Sequence, residues 1–197
     1  MKQKTILAFV VALTIGLGGC AASDPLAETV NGAKQNYVSG DGSLLEITPE
    51  NRGEPVVFSE ETDRAGTVNS TDLLGSVVVF NFWYSSCPPC RAEAKTLATI
   101  SSDYLESGVR FVGVNVYDGK AAANAFEDKF GITYPSVLDV ETGTMRLAFS
   151  DTVTPNAVPT TIVVDRQGRV AARISGAIID DSVLRNMIDS VLAEETN

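Results

Sequence analysis

The chain has 197 residues, of which 44% are hydrophobic and 20% are charged, and its formal net charge is −10. This composition fits one globular domain with a sizeable core, and it excludes collagen-like, coiled-coil-array and wholly disordered proteins. The acidic balance argues against nucleic acids and anionic lipid surfaces as partners. Because the sequence contains no histidine, Ser-His-Asp triads, Cys-His pairs and histidine metal sites are excluded.

Residues 1–19 have the pattern of an export signal. Two lysines precede an apolar run that is too short to span a membrane comfortably as a helix. Leu17 stands three residues before Cys20 with two small residues between them, which resembles the lipobox of bacterial lipoproteins. The resemblance implies cleavage before Cys20 and lipidation of its thiol, so that the mature protein is anchored to a bilayer. The alternative is an ordinary secretory signal cleaved near Ala21 or Ala22.

The rest of the chain divides by composition near residue 55. Residues 20–55 are low in large apolar residues and rich in Gly, Ser, Asn, Asp and Glu, so they are predicted to form a lipid anchor and flexible tether. Residues 56–197 carry the periodic hydrophobic patterns and are predicted to form the folded domain.

The predicted elements of the folded domain alternate between buried strands and helices. In chain order they are a strand at 56–58, a turn at 64–66, a strand at 77–83, a helix at 88–105, a strand at 111–116, a helix at 120–130 ended by Gly131, a strand at 134–138, a helical turn at 144–149, a strand at 160–164, a turn at 165–168, a returning strand at 170–174 and a C-terminal amphipathic helix over 183–192. This order predicts an α/β fold with a mixed central sheet and helices on both faces.

The candidate reactive residues are Cys87 and Cys90, where the first buried strand passes into its helix. Residues three apart at the start of a helix have Cβ atoms ~5–6 Å apart, which allows a disulfide with little rearrangement. Cys87 falls near the N-cap, at the exposed end of the helix, where free N–H groups and the helix dipole favour a thiolate. Cys87 is therefore the predicted nucleophile, and the better shielded Cys90 is predicted to resolve the mixed disulfide.

The cysteine pair allows two other interpretations. A structural zinc site needs four ligands, and the chain offers only two thiolates and no histidine once Cys20 is lipidated. An inert structural disulfide is compatible with an exported protein, although closing so short a loop contributes little stability.

Residues 81–93, which contain the CxxC motif, resemble the active-site stretch of thioredoxin-like proteins of the TlpA/ResA type. Val158 and Pro159 resemble the cis-proline loop that faces the CxxC motif in that fold. Residues 117–139 are similar to the helix and strand that this family inserts into plain thioredoxin. The resemblance covers residues 56–197 and implies a thioredoxin-like fold with the central insertion of the family.

The resemblance also implies which side chains form the site. Those implied to be catalytic are Cys87, Cys90 and Glu93, and those implied to bind substrate are Trp83, Pro88, Pro89, Val158 and Pro159. Glu93 stands where the ResA branch keeps a glutamate, and the alternative is a first-turn helix acid stabilised by the dipole. Asn81 replaces the buried aspartate of plain thioredoxin. No metal and no cofactor are predicted.

The implied activity is that of a membrane-anchored, extracytoplasmic thiol-disulfide oxidoreductase that reduces protein disulfides. By resemblance, apocytochrome c is the best-known substrate and a membrane thiol transporter supplies the electrons. Alternatives are a disulfide oxidase or isomerase of the same fold, and a non-catalytic binding lipoprotein. A peroxiredoxin-like peroxidase is rejected because Tyr84 and Phe80 occupy the positions where that pattern needs Thr or Ser and Pro. A copper-delivering relative is rejected because it uses a CxxxC motif and a histidine.

Overall fold

The structure of the chain, a computed structural model, describes residues 36–150 and 157–194. The predicted signal peptide and the predicted lipidation site at Cys20 lie outside these residues, as does the first part of the predicted tether. Within the described residues, no helix is long and apolar enough to cross a membrane.

Strands and helices alternate along most of the described chain. The strands are β1 (Tyr37–Val38), β2 (Leu44–Glu46), β3 (Ser59–Glu61), β4 (Thr67–Asn69), β5 (Val78–Trp83), β6 (Arg110–Asn115), β7 (Ser136–Leu138), β8 (Thr160–Val164) and β9 (Val170–Ser175). The α-helices are α1 (Pro88–Asp103), α2 (Lys120–Phe130), α3 (Thr144–Ala148) and α4 (Asp181–Leu192), with short 3-10 helices at Pro49–Asn51 and Ser70–Leu73.

Seven of these strands form one mixed sheet in the order β1-β2-β9-β8-β5-β6-β7. Strands β5, β6 and β7 run parallel, whereas β8 is antiparallel to β5 and β9 is antiparallel to β8. Strands β3 and β4 form a separate antiparallel hairpin. Every residue of β5 is buried, as its unbroken apolar run predicts for a strand covered on both faces. The predicted α/β fold with a mixed central sheet is confirmed.

Alternate side chains of β5 enter two hydrophobic clusters, one on each face of the sheet. Val79 and Trp83 belong to the first cluster, together with buried side chains of α1, α2 and α4. Phe80 and Phe82 belong to the second cluster, which also contains Met145 of α3. Helices therefore cover both faces as predicted, and the first face carries the longer ones.

The folded region begins before the boundary that the sequence predicted at residue 56. Strands β1 and β2 lie inside the predicted tether, and β2 extends the main sheet by pairing with β9. The side chain of Arg52 is 3% exposed and forms ion pairs with Asp165 and Glu194. The tether prediction was wrong for this part because these strands are only two and three residues long and depend on a partner strand that is distant in sequence.

The strand predicted at 56–58 is also wrong, since β3 begins at Ser59. The N–H of Val56 donates to the carbonyl of Gly168 at 2.8 Å, and Phe58 is buried in the second cluster. Val56 and Phe58 therefore pack on the sheet without joining it, whereas Val57 is exposed. The turn predicted at 64–66 is confirmed and connects β3 to β4, with Gly66 at a φ of 125°.

Candidate active site

Cys87 and Cys90 lie at the carboxyl end of β5, where the chain enters α1. They form a disulfide with a Cα–Cα distance of 5.3 Å. Cys87 is the N-cap residue of α1, and its Sγ accepts a hydrogen bond from the N–H of Cys90 at 3.2 Å. Because this N–H is one of the free donors of the first helical turn, it favours negative charge on the Cys87 sulfur once the disulfide is reduced.

Cys87 is more buried than the sequence predicted. Only 1% of its surface is accessible, compared with 2% for Cys90. Ser86, Pro88 and Pro89 are exposed beside the pair, so the two prolines are the most accessible of the predicted substrate-binding residues. The two cysteines do not differ in shielding in the disulfide form. The assignment of Cys87 as nucleophile therefore depends on its N-cap position.

The predicted cis-proline loop lies at the same end of the sheet as the cysteines. The Val158–Pro159 peptide bond is cis, as the resemblance implies. Pro159 immediately precedes β8, whose first residue, Thr160, pairs with Phe82 near the end of β5. Val158 is half-buried and packs against the hydrophobic cluster that contains both cysteines. The structure thus brings Val158 and Pro159 to the region of the disulfide.

Glu93 is held in the interior by hydrogen bonds from two other elements, and it is 1% exposed. Its Oε1 accepts from Asn81 Nδ2 at 3.0 Å, and its Oε2 accepts from the N–H of Ile178 at 2.8 Å. Asn81 Nδ2 also donates to Thr161 Oγ1 at 3.1 Å. Asn81 therefore orients the carboxyl group of Glu93, whereas the aspartate that plain thioredoxin has at this position would itself supply a carboxyl group. Neither Ile178 nor Thr161 was found from the sequence, because each contact joins segments that are distant along the chain.

Burial raises the pKa of Glu93 to about 7, although the hydrogen bonds from Ile178 and Asn81 act in the opposite direction. A carboxyl group with such a pKa exchanges its proton near neutral pH. This property suits a group that passes protons to or from a thiol.

A second buried acidic pair, Asp63 and Glu127, was also missed by the sequence analysis. Both side chains are 0% exposed, and Arg64 Nε lies 3.5 Å from Asp63 Oδ2 and 3.2 Å from Glu127 Oε2. Burial, together with the neighbouring Asp63, raises the pKa of Glu127 to about 7. The pair connects the β3–β4 turn to α2. Its sequence signal is weak because one member lies in a turn and the other on an amphipathic helix.

The buried carboxyl of Glu93 makes the stability of the protein depend on pH. Because its pKa is raised on folding, the stabilisation is fully present below the unfolded pKa of about 4.5 and is lost as the pH rises through about 7. We expect the free energy of unfolding to fall between about pH 5.5 and about pH 8, with Glu93 contributing about 2 kcal/mol to the fall, because part of its effect is already lost below pH 5.5. Urea denaturation at both pH values measures this difference.

Glu93→Gln should remove the Glu93 share of this pH dependence and leave the share due to Glu127, whose pKa is also raised to about 7. Any constant cost of the substitution cancels in the difference between the two pH values. Glu106→Gln, at an exposed position after α1, serves as the control and should behave as the wild type. A Glu93→Gln protein with the wild-type pH dependence would show that Glu93 is ionised in the folded state.

Trp83 is buried, which argues against the substrate-binding role that was predicted for it. It is 2% exposed and stacks on Phe126 of α2 with ring centroids 4.3 Å apart. A Cβ atom added at Gly113 would lie 3.0 Å from the indole Nε1, so the glycine leaves room for the ring inside the domain. The pleat of β5 turns this side chain into the first hydrophobic cluster, and a direct contact of Trp83 with substrate stays a prediction.

Among the described residues, no group of three or more His, Cys, Asp or Glu side chains is arranged to hold a metal ion. The chemistry that this geometry supports directly is the reversible making and breaking of the Cys87–Cys90 disulfide, with a buried carboxyl one helical turn further along α1.

Comparison with known proteins agrees with this geometry. The Redoxin family model matches residues 51–188. The chain is 34% identical over 140 residues to the thiol:disulfide interchange protein HelX of Rhodobacter capsulatus, a match that covers 71% of this chain and 74% of HelX. It is 27% identical over 140 residues to the thiol-disulfide oxidoreductase ResA of Bacillus subtilis, covering 71% of this chain and 75% of ResA.

Two solved structures show the same fold. A DsbF homologue from Corynebacterium diphtheriae is 31% identical, with a TM-score of 0.68 over 79% of this chain and 98% of its own. A secreted thiol-disulfide isomerase from Corynebacterium glutamicum is 24% identical, with a TM-score of 0.71 over 81% of this chain and 98% of its own. The predicted thioredoxin-like fold is confirmed.

Proposed function

Because the chain belongs to the Redoxin family and is a thiol-disulfide oxidoreductase, we propose that it reduces disulfides of exported proteins with the Cys87–Cys90 dithiol. The observation that carries the proposal is the placement of three features at one end of the sheet. These features are the cysteine pair at the start of α1, the cis-proline loop before β8 and the buried carboxyl of Glu93.

The proposed reaction has two exchange steps. In the reduced protein the Cys87 thiolate attacks one sulfur of a substrate disulfide, forms a mixed disulfide and releases the other substrate sulfur as a thiolate. Cys90, after losing its proton, attacks the Cys87 sulfur, which forms the Cys87–Cys90 disulfide and releases the second substrate thiolate. The substrate gains two electrons and leaves as two thiolates, which take up protons from the solvent, and the dithiol loses two electrons and the proton of Cys90. In this scheme Glu93 takes up the proton of Cys90.

The dipeptide between the cysteines supports reduction as the direction of the reaction. Neither Pro88 nor Pro89 has a backbone N–H, so a Cys87 thiolate lacks two donors that other dipeptides supply. The donor that the structure does provide is the N–H of Cys90. The reduced state is therefore stabilised less than in strongly oxidising CxxC proteins, which favours electron donation to the substrate.

The proposal places the domain outside the cytoplasm, tethered to the membrane through a lipidated Cys20. Its substrates are protein disulfides, with apocytochrome c among them, and its electrons come from a membrane thiol-disulfide transporter. The support for this placement is the lipobox-like segment that ends at Cys20 and the resemblance to the TlpA/ResA type.

Reduction of insulin disulfides by dithiothreitol tests the activity. We expect the wild-type protein to accelerate precipitation of the reduced insulin B chain, and we expect the protein with both Cys87→Ser and Cys90→Ser to leave the rate at that of dithiothreitol alone. A wild-type protein that does not accelerate the reaction would overturn the proposed function and would favour a non-catalytic binding lipoprotein.

Lipidation of Cys20 is a separate prediction. Mass spectrometry of the mature protein from a bacterial membrane fraction should find an N-terminal peptide that begins at Cys20 and carries a lipid on its sulfur. Cys20→Ser should release the domain from the membrane fraction. An unmodified N-terminus beyond Cys20 would contradict the prediction and indicate an ordinary secretory signal.

A further inference from the structure

The loop that leads into Cys87 is held by a carboxylate from another part of the chain. Asp118, in the connection between β6 and α2, accepts two hydrogen bonds from Ser85. One comes from the Ser85 N–H at 2.5 Å and the other from its Oγ at 2.7 Å. Because Ser85 is two residues before Cys87, these bonds fix the backbone immediately ahead of the candidate nucleophile.

Asp118 is itself fixed by Asn115, the last residue of β6, which is 0% exposed. Asn115 Nδ2 donates to Asp118 Oδ2 at 2.9 Å, and Asn115 Oδ1 accepts from the Asp118 N–H at 2.7 Å and from the Tyr117 N–H at 3.1 Å. A buried amide thus binds both the side chain and the backbone of Asp118. The carboxylate cannot turn away from Ser85 without breaking this arrangement.

A cation binds the same loop from the opposite side. Arg91 Nη1 donates to the carbonyl of Ser85 at 2.8 Å, and its guanidinium carbon lies 5.4 Å from the centre of the Phe130 ring. The N–H and the C=O of Ser85 are therefore each bound by a charged side chain. The loop between β5 and α1 is held by opposite charges from α1 and from the β6–α2 connection.

We propose that Asp118 is a positioning residue of the exchange reaction, which fixes the loop before Cys87 and whose charge keeps the thiolate of Cys87 reactive by opposing its stabilisation. The first part follows from the two bonds to Ser85. The second follows from Coulomb repulsion, since a carboxylate bound two residues from a thiolate disfavours it, in opposition to the α1 dipole and Arg91. The inference rests on the proposed function only in taking Cys87 as the attacking thiol.

The effect of the charge is tested with Asp118→Asn, which keeps the size of the side chain. We expect the pKa of Cys87, measured from thiolate absorbance of the reduced protein, to fall by roughly half a unit, which is about threefold in the thiolate-to-thiol ratio. The equilibrium constant for oxidation of the dithiol by glutathione disulfide should fall about as much, because the reduced protein is stabilised. Glu106→Gln changes the net charge equally at the far end of α1 and should change neither quantity.

The role of Asp118 in holding the loop before Cys87 is tested separately with Ser85→Ala. This mild change keeps the charge of Asp118 and removes the hydrogen bond that Ser85 Oγ donates to it. We expect the Ser85→Ala protein to react with glutathione disulfide about threefold more slowly while the pKa of Cys87 stays unchanged. The slower rate then reflects a less well positioned Cys87 and not a smaller fraction of thiolate. Asp118→Glu retains the negative charge, so the pKa of Cys87 in this protein should be that of the wild type.

Two results would overturn the inference. One is an Asp118→Asn protein in which thermal stability changes but the pKa of Cys87 and the glutathione equilibrium do not. The other is a Ser85→Ala protein that reacts at the wild-type rate. This second test can be made even if the Asp118→Asn protein does not fold. None of these measurements uses insulin or another protein substrate, so their outcome is independent of whether the protein reduces insulin disulfides.

Discussion

Cys90→Ser should abolish disulfide reduction and leave the protein covalently bound to its substrate. The first exchange step forms a disulfide between Cys87 and the substrate, and without the thiol of Cys90 nothing within the pair can resolve it. Cys87→Ser should also abolish turnover but should accumulate no adduct, because the N-cap position that stabilises a thiolate is then occupied by a hydroxyl. Turnover in both variants should fall to the rate of the uncatalysed thiol reaction.

The trapped adduct is measured by incubating each reduced variant with an oxidised protein substrate, followed by non-reducing electrophoresis and mass spectrometry. Burial does not show which cysteine attacks the substrate, because Cys87 is 1% and Cys90 is 2% exposed. The adduct experiment decides between them. An adduct on Cys90 in the Cys87→Ser protein, with none in the Cys90→Ser protein, would reverse the assignment of nucleophile and resolving cysteine.

Arg52→Met should lower the free energy of unfolding by about 3 kcal/mol, because it leaves buried acceptors without their cation. Arg52 donates to Asp165 Oδ2 at 2.9 Å and to both carboxylate oxygens of Glu194, at 2.6 and 2.7 Å. It also donates to the carbonyl of Ile47 at 3.0 Å. Methionine fills much of the same volume, so the loss reports the charge and the hydrogen bonds. Asp165 keeps its ion pair with Arg169, which limits the effect.

Urea denaturation of the wild-type and Arg52→Met proteins measures this loss. Arg110→Met replaces an arginine at an exposed position of β6 and should change the unfolding free energy by less than about 0.5 kcal/mol. Equal unfolding midpoints for the wild-type and Arg52→Met proteins would mean that the segment before residue 56 contributes little to the stability of the folded domain. That result would agree with the predicted flexible tether.

The elements that the sequence predicted well are those whose pattern is local. The apolar run of β5 needs burial on both faces, and α2 ends at Gly131 in the left-handed conformation that a glycine C-cap adopts. The cysteine pair at the start of α1 was predicted from a short motif and is present. In these cases the residues that determine the structure are neighbours in the chain. The cis bond at Pro159 is also present, but it was predicted only from the family resemblance.

The features that the sequence did not predict depend on contacts between distant segments. Strand β2 is short and joins the sheet only because β9 offers it an edge. Asp118 lies 33 residues from Ser85, and nothing in the motif around Cys87 indicates that they meet. The burial of Trp83 likewise depends on Gly113 in the next strand, where the absence of a side chain makes room for the indole.

The reduction potential of the Cys87–Cys90 couple decides whether the protein reduces or oxidises its substrates. It is obtained by equilibrating the protein with dithiothreitol or glutathione redox buffers and quantifying the oxidised fraction. We expect a value near that of thioredoxin, about −270 mV, because the Pro88–Pro89 dipeptide gives the Cys87 thiolate few donors. A value near that of DsbA, about −120 mV, would instead identify the protein as a disulfide oxidase.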